Sequence, residues 1–482
     1  MAPVVDPGET STLRWTFAVS ALVGAVGAAL LAVASDLPAS PYGPLAGGLW
    51  PLAGRGSAPG WEGPVVPGWA VVANQGPGVG NGRLFTTLCA VAGVALLIGA
   101  WTILWRRART DLGAGLRHLW WIVAAWVTPL LLAAPLASQD VWHYGAEGRM
   151  ILDGYTGYQP SSLLGHSVWT LGVDAKWAAR PSLYGPGALD LSAFFVKISG
   201  GRPWVAAECW RITVLIGLVL GAWGVHRLVT RGGGNATRAI LAAVANPVVL
   251  IILVGGIHND ALMLGLTVAG VALARSGMRW WGLLLCALAV AVKPNAILAL
   301  GALAWWAWGA GGRERIKAIL SYAWVPEPWS LGAQLLGTDT GRPVAAIELA
   351  GTVLAVLLVL TVRRSGGWIV ALGWGFAALA ITNPGPQPWY LAWAVGLLAC
   401  GGLIRRSERI GLVVLSVMMA GGIVPLGVLL WFEGVIALGA LGFFTLRNSV
   451  RASARPPAPG PDDLSADVQE PSLVEVSPGV RG

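Results

Sequence analysis

Long apolar runs recur from one end of this chain to the other, separated by short basic groups. They occupy residues 13–35, 84–105, 118–137, 204–229, 240–255, 261–274, 280–292, 296–308, 344–362, 368–382, 389–402, 410–425 and 426–446. About 20 such residues in a helix span the hydrocarbon core of a bilayer. Inside that core only helices and closed barrels satisfy every backbone polar group. Charged residues make up 11% of the 482, whereas a soluble domain carries about 25%. The expected fold class is an all-α polytopic membrane protein, a bundle of about 12–14 transmembrane helices.

The formal charge of +9 does not mark a nucleic-acid binder. Its basic residues do not gather on one face. Arg106, Arg107 and Arg109, then Arg227, Arg231 and Arg238, Arg275 and Arg279, Arg313 and Lys317, Arg363 and Arg364, and Arg405, Arg406 and Arg409 sit between apolar runs. That is the positive-inside pattern. It places the N-terminus, with Arg14, in the cytoplasm. The four cysteines (Cys89, Cys209, Cys286 and Cys400) lie far apart with no metal-ligand or CxxC spacing. The first run lacks a convincing cleavage site, so no removed signal peptide is expected.

The expected organisation is a transmembrane domain over 1–446 and a polar, Pro-rich cytoplasmic tail over 447–482, read as disordered. Residues 36–82 form a Gly/Pro-rich outer loop, and 138–203 a second outer loop, the catalytic one. One passage resists the pattern. Residues 318–326 must cross between two cytoplasmic basic groups, yet they are short for a span. A tilted, longer crossing and a missing piece of helix both remain open.

Residues 137–149 concentrate ionisable groups that are scarce elsewhere. In a helix, Asp140, His143, Tyr144 and Glu147 share one face, and Ser138 is placed to cap it. Three more polar clusters fall on the same outer side: His258-Asn259-Asp260, Lys293-Pro294-Asn295 and Pro388-Trp389-Tyr390. Asp140 and Glu147 are candidates for a general base or a metal ligand. A carboxylate beside hydrocarbon has a raised pKa unless it is paired. Helix capping explains one residue of His258-Asn259-Asp260, not the run. Lys293 is read either as snorkelling to headgroups or as binding a phosphate, beside the helix break that Pro294 forces. Tyr184, Trp389 and Tyr390 anchor at the interface or stack on a sugar ring.

Taken together, these pieces resemble the polyprenol-phosphate-mannose-dependent α-(1→6)-mannopyranosyltransferases of actinobacteria, the A/B type. The matching elements are Ser138-Gln139-Asp140-Val141 with Tyr144 and Gly148-Arg149; Gly157-Tyr158-Gln159-Pro160; Pro181-Ser182-Leu183-Tyr184-Gly185-Pro186; Gly256-Ile257-His258-Asn259-Asp260-Ala261-Leu262-Met263; and Val292-Lys293-Pro294. The ordered set spans residues 118–400. The resemblance implies a GT-C-type bundle, a lipid-phosphate sugar donor and an essential Asp in an outer loop, which Asp140 matches.

The expectation that follows is an inverting transfer in the plasma membrane, with the active site on the outer face. Asp140 deprotonates the acceptor hydroxyl. Lys293 and His258 bind the donor phosphate. Glu147, Tyr144, Arg149, Tyr184, Asn259, Asp260, Trp389 and Tyr390 contact the acceptor or substrate. No cofactor is required; a divalent cation on Asp140 and Asp260 is an option. The partners expected are a polyprenyl-phosphate-sugar donor, a glycolipid or mannan acceptor and membrane lipids, with no nucleic acid. Two alternatives stand beside this one: transfer of another lipid-linked sugar, arabinose or glucose, and a transporter or flippase of lipid-linked sugars. A transporter needs polar residues through mid-membrane, whereas here they gather at one mouth.

Overall fold

The structure, a computed structural model, describes residues 7–36, 79–108, 115–136, 138–307, 351–357, 367–383 and 388–401. Thirteen helices are labelled here. They are α1 (Pro7–Asp36), α2 (Val79–Arg107), α3 (Gly115–Leu132), α4 (Asp140–Leu152), α5 (Pro186–Ile198), α6 (Pro203–Arg231) and α7 (Ala236–Ala243). Then come α8 (Pro247–Gly255), α9 (Asp260–Arg275), α10 (Arg279–Val292), α11 (Ile297–Ala307), α12 (Gly367–Thr382) and α13 (Leu391–Ala399). No strand occurs among the described residues.

Three of these helices contain stretches long and apolar enough to cross a membrane, at Trp15–Asp36, Leu84–Arg107 and Pro203–Arg231. A fourth candidate crossing is broken: α7 and α8 meet at 41°. Asn246 and Pro247 make the break, since Pro gives up a helix donor and the Asn246 side chain accepts from Val248 N–H at 3.0 Å. Shorter apolar helices are His118–Leu132, Arg279–Val292, Pro294–Trp305 and Gly367–Ala380. The protein is thus an all-α polytopic membrane protein. The runs at 410–425 and 426–446, the 318–326 passage, most of the 36–82 loop and the 447–482 tail lie outside the described residues.

The outer surfaces of the spans are apolar, as lipid requires. Ile212, Ile216, Val219 and Trp223 form an exposed stripe along α6, and Leu84, Leu88 and Val91 do so on α2. In water a patch of this kind demands a partner; in a bilayer the acyl chains cover it. The polar set is inverted, because His258, Asn259 and Asp260 are fully buried.

Small residues let the helices approach closely where lipid supplies no hydrophobic drive. The α1 and α2 backbones meet at Gly27 and Gly93, where a Cβ on either would stand 2.7 Å from the other's carbonyl oxygen. The buried α9 lies between α6 and α10. A Cβ on Gly265 of α9 would land on the Gly217 carbonyl of α6. Gly265→Leu is therefore expected to drive these helices apart. Overpacking costs about 1–3 kcal/mol or more, and thermal unfolding in detergent should show a clearly lowered midpoint.

One sequence expectation changes here, and one is filled in. The run at 118–137 is helical only to Leu132, because Ala134 precedes Pro135 and the residue before Pro leaves the α region. The 138–203 loop is largely built: α4 and α5, each 13 residues, pack against one another within it. Their contact is close, since a Cβ on Gly148 would stand 2.5 Å from the Ser192 carbonyl.

Candidate active site

Asp140 is the first residue of α4. Ser138 does not close the helix as its N-cap, a position taken by Gln139 without a side-chain bond; instead the Ser138 hydroxyl accepts from Asp140 N–H at 3.1 Å. The Asp140 carboxylate accepts from the Tyr184 hydroxyl at 3.3 Å. His258 Nδ1 stands 3.3 Å from Asp140 Oδ2 and 3.9 Å from Asp260 Oδ2. Asp260 Oδ1 accepts from Lys293 Nζ at 2.8 Å and from Trp393 Nε1 at 2.6 Å. Two carboxylates, an imidazole and an ammonium from four helix ends thus form one chain of contacts.

Aromatic rings wall this cluster. Lys293 Nζ lies over the Tyr184, Tyr390 and Trp393 rings at 5.6, 5.0 and 5.3 Å, within cation–π range. The Trp389 ring covers His258 at 4.3 Å. Tyr144 meets Tyr184 edge-on at 4.9 Å, and its hydroxyl accepts from Asn259 N–H at 3.4 Å. Lys293 does not snorkel outward: it is 5% exposed and turned into the protein. Gly185 brings the Tyr184 loop against α10 by donating its N–H to the Val292 carbonyl at 3.0 Å.

The backbone carrying His258 is unusual. Residues Leu250–Gly255 form a π-helix, and Ile257 has φ of +54°. A β-branched residue in the left-handed region costs about 1–3 kcal/mol and persists only when its surroundings hold it. Strain of this kind gathers where a side chain must be aimed. Here the next side chain is His258.

Burial alone would raise the Asp140 carboxyl. The approach of the His258 imidazole to 3.3 Å, followed by the charges of Lys293 and His143, outweighs it and holds Asp140 below the ordinary aspartate value. The raised value expected for a carboxylate beside hydrocarbon is therefore reversed by pairing. Burial pushes the hydroxyls of Tyr144 and Tyr184 well above the usual tyrosine range, so Tyr184 stays a donor to Asp140.

Of the residues singled out in the sequence, Asp140, His258, Asp260, Lys293, Tyr184, Tyr144, Asn259, Trp389 and Tyr390 are brought together. Glu147 sits two turns along α4 from Asp140, fully buried, with Oε1 3.1 Å from His143 Nε2. Arg149 is not brought in. It lies at the exposed end of α4 in a bidentate pair with Asp153, at 2.9 and 2.5 Å. Trp393 belongs to the cluster but was missed, because within an apolar run it looks like any lipid-facing Trp. His143 was seen on the polar stripe but given no role.

Burial lowers the His143 pKa, but Glu147 more than offsets this and leaves it above the usual imidazole value. A raised pKa contributes stability below about pH 6.5, lost as pH rises through the folded value. Asp140 acts in the opposite sense, with stability present above about pH 3.9 and lost as pH falls through its depressed value. Glu147→Gln should flatten the alkaline decline in thermal stability. Parallel pH profiles for variant and wild type would show that the pair does not carry it.

Among the described residues, no group of three or more His, Cys, Asp or Glu is arranged to hold a metal ion. The His258 imidazole stands between the Asp140 and Asp260 carboxylates, and Lys293 and Trp393 occupy Asp260 Oδ1.

Fold and site together define an all-α membrane protein with a buried ionic centre walled by aromatic rings. The chain belongs to the α-(1→6)-mannopyranosyltransferase A/B family. Residues 47–309 match the family described as "Alpha-(1->6)-mannopyranosyltransferase, N-terminal domain", and residues 336–446 match "MptB C-terminal domain". The chain is 29% identical to "Alpha-(1->6)-mannopyranosyltransferase A" of Mycobacterium tuberculosis, over 68% of this chain and 73% of that protein. It is 34% identical to the Corynebacterium glutamicum protein of the same name, over 44% of this chain and 45% of that one. To "Alpha-(1->6)-mannopyranosyltransferase B" of C. glutamicum it is 26% identical, over 75% of this chain and 73% of the relative. No solved structure matches the chain.

Proposed function

We propose that this protein transfers mannose from polyprenyl-phosphate-mannose to an α-1,6-mannan or lipomannan acceptor, at the outer face of the plasma membrane and with inversion at the anomeric carbon. The observation that carries this reading is the placement of Asp140. Its side chain is 13% exposed, against 0% for His258 and Asp260 and 6% for Lys293. It is thus the member of the ionic cluster open to an incoming hydroxyl.

The acceptor oxygen attacks the anomeric carbon from the face opposite the phosphate. The bond from that carbon to the phosphate oxygen breaks, and the phosphate leaves with the electron pair. Asp140 takes the hydroxyl proton. Because its pKa is held down, the resting form at neutral pH is the ionised base. The cost is lower basicity, which a good leaving group tolerates. Tyr184 and His258 fix the carboxylate's orientation. Lys293 has three N–H donors, of which Asp260 engages one. Its charge, with that of His258 when protonated, favours the departing phosphate. Trp389, Tyr390 and Tyr184 supply rings on which sugar faces stack.

The family membership and the relatives' names support mannose as the transferred sugar. Among the described residues no strand leads into a Gly-rich phosphate loop, which favours a lipid-linked donor over a nucleotide sugar. The test supplies polyprenyl-phosphate [14C]mannose and a short α-1,6-mannoside to membranes of a host lacking its own enzyme. Label should enter the acceptor, and exo-α-mannosidase should release it. No transfer by folded protein would overturn the mannosyl reading.

A further inference from the structure

The segment joining α3 to α4 carries an arrangement that the transfer reaction does not use directly. The peptide between Ala133 and Ala134 is held from both sides by the side chains of two buried ionisable residues. Arg211 of α6 donates from Nη2 to the Ala133 carbonyl at 2.7 Å and from Nη1 to the Leu131 carbonyl. Asp36, at the end of α1, accepts the Ala134 N–H on Oδ1 at 2.6 Å, and the Ser35 hydroxyl donates to the same oxygen at 3.1 Å. Arg211 is 1% exposed and Asp36 7%. A charge within a span is costly and rarely kept without a role.

Capping the carbonyls at the end of α3 accounts for Arg211 in part. It does not account for Asp36, which holds an N–H beyond the helix. The next tie lies two residues on, where Leu136 N–H donates to the Gly255 carbonyl at 2.9 Å. Gly255 and Gly256 bear directly on Leu136: a Cβ on Gly256 would stand 2.9 Å from the Leu136 carbonyl oxygen. Asp140 follows Leu136 by four residues, and His258 follows Gly255 by three. The 133–136 strap is therefore the shared reference from which both the base and its imidazole partner are hung.

We infer that Asp36 and Arg211 are positioning residues which, by gripping the 133–134 peptide, set Asp140 in register against His258. The inference rests on the transfer reaction proposed above for its kinetic readout, but not for its structural one. Neither residue touches the reacting atoms. Misplacement by about 1 Å costs a reaction on the order of 10²-fold, so loss of the grip should appear in kcat more than in KM for the donor.

The test uses the full chain in detergent or nanodiscs, with Asp36→Ala, Asp36→Asn, Arg211→Met and the Asp36→Ala/Arg211→Met pair. Asp36→Ala and Arg211→Met should each lower kcat by about 10²-fold with little change in KM. Amide deuterium uptake should rise over residues 136–144 and stay level over α9. Asp36→Asn should retain most of the activity and the wild-type uptake, because its amide oxygen still accepts the Ala134 N–H. The double variant should be little worse than the poorer single one, since both remove one grip. The inference is overturned by wild-type kcat and uptake in the two disruptive variants, by strictly additive losses, or by Asp36→Asn failing as badly as Asp36→Ala. The last result would mean that the charge matters, not the hydrogen bond. If the wild type transfers no mannose, the functional reading fails. The uptake data then judge the grip alone: a rise confined to 136–144 sustains it, and unchanged uptake removes it.

Discussion

Asp140→Asn is expected to abolish measurable mannose transfer, with a loss of about 10²- to 10⁴-fold, the range that a general base contributes. The amide keeps the size of the carboxylate and an oxygen for the Tyr184 hydroxyl. It cannot take a proton from the acceptor, and it removes the charge that faces His258 at 3.3 Å. The loss should fall on kcat, with donor KM little changed. Because one partner of a buried contact is replaced by a neutral isostere, the variant should fold, and its thermal midpoint is the control. A variant that folds and retains transfer within about tenfold would remove Asp140 from the role of base.

Lys293→Met carries the largest expected cost in stability. Lys293 and Asp260 are both buried and pair at 2.8 Å. Removing one partner leaves the other charge without compensation, which costs about 3–5 kcal/mol. Trp393 still donates to Asp260 at 2.6 Å, but a neutral donor does not replace an ammonium. Three aromatic rings also lose their cation. The thermal midpoint in detergent should fall sharply. Adding Asp260→Leu should recover much of it, since an apolar pair of similar volume is often neutral or stabilising. On the proposed mechanism that double variant should remain inactive, because the charge assigned to the donor phosphate is gone. If Lys293→Met unfolds at the wild-type temperature, the pair is not energetically coupled.

The membrane class could be read from periodicity and composition, since apolar length and charge scarcity are local properties of the chain. The positive-inside groups likewise placed four polar clusters on one side. The structure joins members of all four through contacts spanning 33 to 131 residues of sequence: Tyr144 with Asn259, Asp140 with His258, Asp260 with Lys293, and His258 with Trp389. Arg149 was grouped with them because it lies close in sequence. Two and a half helical turns from Asp140, it points to solvent and to Asp153. Trp393 gave no signal, because an indole in an apolar run is identical on paper whether it faces lipid or donates to a buried carboxylate. Arg211 did give one, an ionisable group inside a span, but its partner carbonyls at 131 and 133 are backbone atoms that no residue pattern reveals.

The sequence by itself determined that this chain enters a membrane as helices and which ionisable residues it spends there, because hydrophobic transfer and helix hydrogen bonding act residue by residue. Only the tertiary structure decided how those charges are paired: Asp260 with Lys293, Asp140 with His258, Glu147 with His143, and Asp36 with the 133–134 peptide. Pairing depends on distances of a few ångströms between helices far apart in the chain. In a low-dielectric interior those distances set the pKa and orientation of the Asp140 carboxylate, so its position was legible from the sequence and its ionisation state was not.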